Sequence, residues 1–220
     1  MTDLHPWQQQ TLDSGLMLAA ASDILVDGRE LVRQTLAAID SVPVADREHY
    51  GSENGDWTAI TLARMPANYG IPAGTPTAIM AHLPVLDPIM AGFGGMAHGA
   101  YILRQPPRGM LEWHFDNQAL HLPFCRLLLT VQAAPEAFTW IGHEKVAFPP
   151  GTLWTGDFGF PHQVENAADQ ERLMIALDYV PTDAIRAHFP PALYAEPDRR
   201  GALAGEACNH LSYWRFSRSS

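Results

Sequence analysis

A chain of 220 residues, 47% hydrophobic and 17% charged, is a globular polypeptide long enough to bury a substantial core, not a disordered one. Its formal net charge of −10, with no basic cluster anywhere, argues against a nucleic-acid backbone as partner. Two cysteines, Cys125 and Cys208, make neither a CxxC pair nor a disulfide framework, which fits a reducing, cytoplasmic setting. MTDLHPWQQQ has no signal-peptide character, and the apolar run GLMLAAASDILV is broken by Ser22 and Asp23 and too short for a bilayer, so we expect a soluble protein.

In chain order, residues 1–50 read as helical. Leu12 to Val26 is rich in Ala and Leu. Asp27 is placed to cap a second helix over about 29–41, with Leu31, Val32, Leu36, Ala37 and Ile39 as its apolar stripe and Pro43 as its stop. The pattern changes near residue 56. WTAITLAR (57–64) reads as a strand, YGIPAGTPTAIM as a Gly/Pro-rich connection, and residues 84–93 as a short helix or turn. Short β-like segments follow: 100–105, 110–116, 125–132, 137–142, 145–148, 152–156, 162–166 and 172–180. Strands of this length, separated by Gly and Pro, predict a β-sandwich or barrel. The tail predicts a short helix near 182–188 and then a Pro-rich irregular segment. We expect one domain: a helical part over 1–55, a β core over 56–180 and a tail over 181–220.

The stretch EWHFDN stands out in this β-rich half. On a strand, residues two apart share a face, so His114 and Asp116 project together with Phe115 opposite. By themselves they fit an ordinary polar surface as well as two legs of a metal site. His162, opening a strand after FGFP, is the best third ligand. Two imidazoles and one carboxylate with open positions make the facial triad of non-haem Fe(II) oxygenases. Ten residues on, Arg172 opens RLMIALDYV. Period two puts Arg172, Met174, Ala176 and Asp178 on one face and Leu173, Ile175 and Leu177 on the other. An arginine opening so apolar a strand is costly to bury without an anion, and its planar fork suits a carboxylate. Arg126, in CRLLLTV, reads either as a strand-end salt bridge or as a second anion contact.

The ordered set HFD … CRLLLTV … GTLWTGDFGFPHQVEN … RLMIALD resembles the aspartyl/asparaginyl β-hydroxylase-like family of Fe(II)/2-oxoglutarate-dependent dioxygenases, which is related to bacterial proline hydroxylases. The matching region runs from about 100 to 180. The resemblance implies a mainly β fold with flanking helices and a double-stranded β-helix (jelly-roll, cupin-like) core. It implies iron on His114, Asp116 and His162, 2-oxoglutarate held by Arg172 with Arg126 beside it, and O₂ as oxidant. The chain departs from the family at Leu128, where a histidine often helps to bind 2-oxoglutarate; His121 is the nearest substitute. Asp157 is read as a turn or capping residue. Among the other histidines, His98 and His121 are the better pocket members.

The implied activity is hydroxylation of an unactivated C–H bond. The substrate implied is a free amino acid or a small molecule derived from one, with Arg104, Arg108 and Arg126 as available cations. A peptidyl Asp/Asn hydroxylase is the alternative within the class. A non-catalytic, metal-binding cupin-like module is the alternative outside it, and Arg172 argues against that, because a bare metal site needs no buried cation.

Overall fold

The structure, a computed structural model, describes residues 4–43, 48–52, 55–66 and 73–218. Among the described residues, twelve strands form two antiparallel sheets. The larger runs in the order β1 (Ala19–Leu25), β10 (Thr152–Gly156), β7 (Cys125–Gln132), β12 (Arg172–Tyr179), β5 (Gly99–Gln105), β3 (Gly55–Arg64), β2 (Glu48–Ser52), with β4 (Thr75–Pro76) beside β3. The smaller runs β6 (Met110–His114), β11 (His162–Asn166), β8 (Ala137–Ile141), β9 (Glu144–Val146). Each strand predicted from residue 57 onward is present, most within a residue or two of its expected bounds.

β12 lies at the centre of the larger sheet, between β5 and β7, and is buried along its whole length. Its two faces do different work, as its alternation predicts. Leu173, Ile175 and Leu177 join an outer core with Leu127 and Leu129 of β7, Ile102 of β5 and Leu31 of a covering helix. Met174 and Ala176 join an inner core with Leu128, Ile141 and Trp154, between the two sheets. Full burial of a Leu or Ile side chain contributes about 1.5–3 kcal/mol, so this packing dominates the fold's stability. The polar members of the inner face, Arg172 and Asp178, are thereby carried into the space between the sheets.

The helices are α1 (Pro6–Ser14), α2 (Gly28–Asp40), α3 (Asp87–Gly92), α4 (Asp183–Arg186) and α5 (Pro197–Arg218). α2 begins as predicted: the Asp27 carboxylate accepts from the Arg29 and Glu30 N–H groups. Its buried face is rotated from the expected stripe, however. Leu31, Gln34, Thr35, Ala38 and Ile39 are buried, whereas Leu36 and Ala37 are exposed. The polar Gln34 hid this face from an apolar count. Its amide is satisfied inside, Oε1 accepting from the Val85 N–H and Nε2 donating to Glu30.

Residues 48–52, read as part of the helical stretch, form β2 against β3, and two further expectations fail. Residues 19–25 are a strand and not a helix: β1 pairs antiparallel with β10, so tertiary pairing overrides the helix preference of three successive alanines. The tail is not irregular after its prolines, because α5 runs for 22 residues. Pro197 starts it from a position where a missing N–H costs nothing. α5 packs against α1, and Trp7, Trp113 and Trp214 meet there at ring separations of 5.4 and 5.6 Å from Trp7. Among the described residues no helix is long and apolar enough to cross a membrane. Part of the predicted Gly/Pro-rich connection, residues 69–72, lies outside the described residues.

Candidate active site

Strand pairing assembles the site. β11 pairs β6 with His162 directly opposite His114, so residues 48 positions apart become neighbours with ring centroids 4.1 Å apart. Asp116 lies two residues past the end of β6 and not within it. The chain stays fixed there because the Asp116 N–H donates to the Phe158 carbonyl at 2.8 Å. Ligand atoms of His114, Asp116 and His162 all lie within 4.8 Å of one another.

Each imidazole is held by its own strand. His114 Nδ1 lies 2.7 Å from the Glu112 carbonyl, and His162 Nδ1 lies 3.1 Å from the Phe160 carbonyl. A carbonyl only accepts, so the proton sits on Nδ1 in both rings and the Nε2 lone pairs are free. Burial and the neighbouring His114 hold the His162 pKa well below the usual imidazole value; burial also lowers that of His114, despite the Glu112 carbonyl and Asp116. Neutral rings with free Nε2 atoms, beside a carboxylate, form a donor set suited to a divalent first-row metal.

The three groups line a cavity of about 350 Å³ between the sheets. Arg126, Leu128 and Arg172 line it too, so the structure brings together the three expected metal ligands and both expected co-substrate arginines. Arg172 is 6% exposed. Its Nη1 donates to the Phe138 carbonyl at 3.2 Å and its Nη2 to Thr139 Oγ1 at 3.0 Å, while Nε has no acceptor. Among the described residues no carboxylate pairs with it, and burial alone lowers its pKa to about 10. A buried guanidinium that meets only neutral acceptors has the chemistry of an anion-binding group.

Arg126 fits both of its sequence readings. Its Nε and Nη2 donate to Asp178 at 2.8 and 2.9 Å, and its Nη1 stands 4.0 Å from Asp116. It therefore links a buried carboxylate to the carboxylate of the triad. Asp178, directly opposite Arg126 in the β12–β7 register, was visible only as a residue on the face of Arg172. Thr139, Gln105, Trp57 and Phe158 also line the cavity and carried no signal of their own in the sequence.

Of the secondary candidates, only Arg104 lines the cavity. His121 does not replace the histidine missing at Leu128: it stands 3.6 Å from Asp157, where burial and the Arg200 charge lower its pKa to about 4. His98 is buried against Phe124 and does not line the cavity. Arg104 lines the cavity while paired with Glu171 at 2.8 Å; Arg108 sits on an exposed turn paired with Asp169. Asp157 is more than a turn residue. It is fully buried and accepts from Arg200 Nη1 at 3.0 Å, fixing the start of α5 to the turn that leads into His162.

The family profile for aspartyl/asparaginyl beta-hydroxylase matches residues 27–181. Among solved structures, the chain is similar to an oxidoreductase of the 2OG-Fe(II) oxygenase family from Burkholderia pseudomallei, at 14% identity and a TM-score of 0.53 over 79% of this chain and 89% of that one. It is similar to HygX from Streptomyces hygroscopicus, solved with nickel and 2-oxoglutarate, at 14% identity and a TM-score of 0.51 over 80% and 87% of the two chains. It is also similar to a prolyl-4-hydroxylase from Pseudomonas putida, at 13% identity and a TM-score of 0.50 over 80% and 100%. No curated protein matches the sequence. The structural likenesses give the jelly-roll oxygenase fold. Since the profile spans well over half of its length, the chain belongs to the aspartyl/asparaginyl β-hydroxylase family of Fe(II)/2-oxoglutarate-dependent dioxygenases.

Proposed function

We propose that the protein hydroxylates an unactivated C–H bond of a free amino acid or an amino-acid-derived small molecule, with Fe(II) held by His114, Asp116 and His162 and 2-oxoglutarate anchored by Arg172. The observation that carries this reading is Arg172, a buried cation without a carboxylate partner among the described residues, in the same cavity as the triad. When bound, the iron and its co-substrate supply the oxidising chemistry, with O₂ as oxidant and succinate and CO₂ as co-products. The protein binds and orients. His114 and His162 offer fixed, neutral Nε2 donors, and Asp116 supplies the negative ligand. Arg126 keeps its remaining nitrogen beside Asp116 and is the second cation facing the co-substrate. The apolar inner wall, with Leu128, Phe158 and Met174, keeps water from the reacting centre.

The cavity volume falls at the lower end of the small-molecule range, which favours a compact substrate over a protein segment. Arg104 lines the cavity with its guanidinium held by Glu171, a fixed cation that suits the carboxylate of an amino acid. A metal-binding module without turnover leaves Arg172 without a purpose.

The test is an anaerobic titration of metal-free protein with Fe(II) and then 2-oxoglutarate, followed by the visible charge-transfer band of the Fe(II)–keto-acid chelate. The band is expected in the wild type. His114→Ala, Asp116→Ala and His162→Ala should lose it with the metal. Arg172→Ala should keep iron and weaken 2-oxoglutarate by roughly tenfold or more, as expected for a lost charge-assisted contact. Metal binding without the band in the wild type would return the protein to the class of binding modules.

A further inference from the structure

Arg172 alone offers a carboxylate few donors, because both of its Nη groups already donate to Phe138 and Thr139, and the cavity wall shows what can add to it. Gln105 stands opposite Arg172 in the β5–β12 ladder, but both of its amide hydrogens are spent, on the Gly109 and Val164 carbonyls at 3.1 and 3.2 Å. The remaining Oε1 is an acceptor and has nothing to offer an anion. Leu128 and Met174 carry no donor. Thr139 does. It is 2% exposed, and its Oγ1 accepts from Arg172 Nη2, so its own hydroxyl proton is not used in that bond. No acceptor for that proton is present among the described residues. It also stands at the Nη2 corner of the guanidinium, on the same edge as the unpaired Nε.

We propose that Thr139 is the second donor to the distal carboxylate of 2-oxoglutarate, beside Arg172. One carboxylate oxygen then accepts from Arg172 Nε and the other from the Thr139 hydroxyl. The assignment rests on the reading of Arg172 given above and deepens it.

The experiment compares two ligands with the same keto-acid head: 2-oxoglutarate, and 2-oxopentanoate, which ends in a methyl group. Each is titrated anaerobically into Fe(II)-loaded protein, and calorimetrically into Ni(II)-loaded protein as a readout independent of turnover and of the visible band. Thr139→Val should raise the dissociation constant for 2-oxoglutarate roughly tenfold, the size of one lost hydrogen bond to a charged group, and leave 2-oxopentanoate unchanged. Thr139→Ser should restore wild-type affinity. Equal weakening of both ligands, or a serine variant no better than valine, would show that Thr139 only packs. Arg172→Met separates the two claims. If it loses 2-oxoglutarate while Thr139→Val does not, the threonine assignment falls and the arginine reading stands. If Arg172→Met binds 2-oxoglutarate normally, the carboxylate lies elsewhere and both fall.

Discussion

Thr139 and Asp178 show where residue-scale reading stops. A histidine and an aspartate two apart, or an arginine at the head of an apolar strand, are chemically odd enough to notice in a string of letters. A threonine in AFTWI is not, because strands are rich in threonine for reasons of shape. Its meaning comes from facing Arg172 across the two sheets. Asp178 meets Arg126 only through a strand register that no local pattern specifies. His121 misled for the converse reason: its position in the chain is close to the site, but its ring turns to Asp157 and Arg200. That location has a measurable consequence. Burial and the Arg200 cation lower its folded pKa to about 4, against 6.5 for an unhindered imidazole. The unfolded chain therefore binds the extra proton first, and stability should fall as pH drops from about 6.5 towards 4. Burial lifts the Asp157 carboxyl to about 6, and that group acts with the opposite sign in the same window. The difference in unfolding free energy between wild type and His121→Leu isolates the imidazole. It should grow with pH between 4 and 6.5 and be flat outside that window, as measured by urea unfolding at a series of pH values.

At the scale of elements, the β core was legible because its strands are short, apolar and punctuated by turns. The two ends of the chain were not. AAASDIL favours a helix by composition and becomes a strand because β10 offers it a partner. α5 shows little apolar periodicity, and one polar residue anchors its start. Arg200 is fully buried and donates to Asp157, and also to the carbonyls of Met17, Ala192 and Ala195. It ties the tail to the loop before β1 and to the turn before His162. Arg200→Leu would leave the Asp157 carboxylate buried without its cation, and we expect it to cost about 3–5 kcal/mol in urea unfolding. Adding Asp157→Asn should recover part of the loss, since both charges are then gone; a double variant no better than the single one would mean that the carbonyl contacts dominate.

For the whole molecule, the two cores lie on either side of the larger sheet, and neither is built around the triad. The proposed metal site is a small polar inset in an inner core already closed by Trp154, Ile141 and Phe160. The fold should therefore survive metal removal. Treatment with a strong chelator is expected to leave far-UV circular dichroism and cooperative unfolding intact, and added Fe(II) or Ni(II) should raise the melting temperature in proportion to the logarithm of its concentration. Loss of cooperative unfolding on chelation would show that the metal helps to build the sheets, as it does in zinc fingers.

Both histidines of the triad donate Nδ1–H to the carbonyl two residues before them, Glu112 for His114 and Phe160 for His162. The rings are aimed by hydrogen bonds in which no ion takes part, and by backbone instead of by other side chains. A cradle that is set in advance cannot reject a wrong ion by declining to close around it. Its preference should then follow the intrinsic affinity order of nitrogen and oxygen donors, in which Ni²⁺ and Cu²⁺ outrank Fe²⁺. Which metal the protein carries in a cell becomes a question of supply, so the same chain would emerge active or inert according to the ions present when it folded.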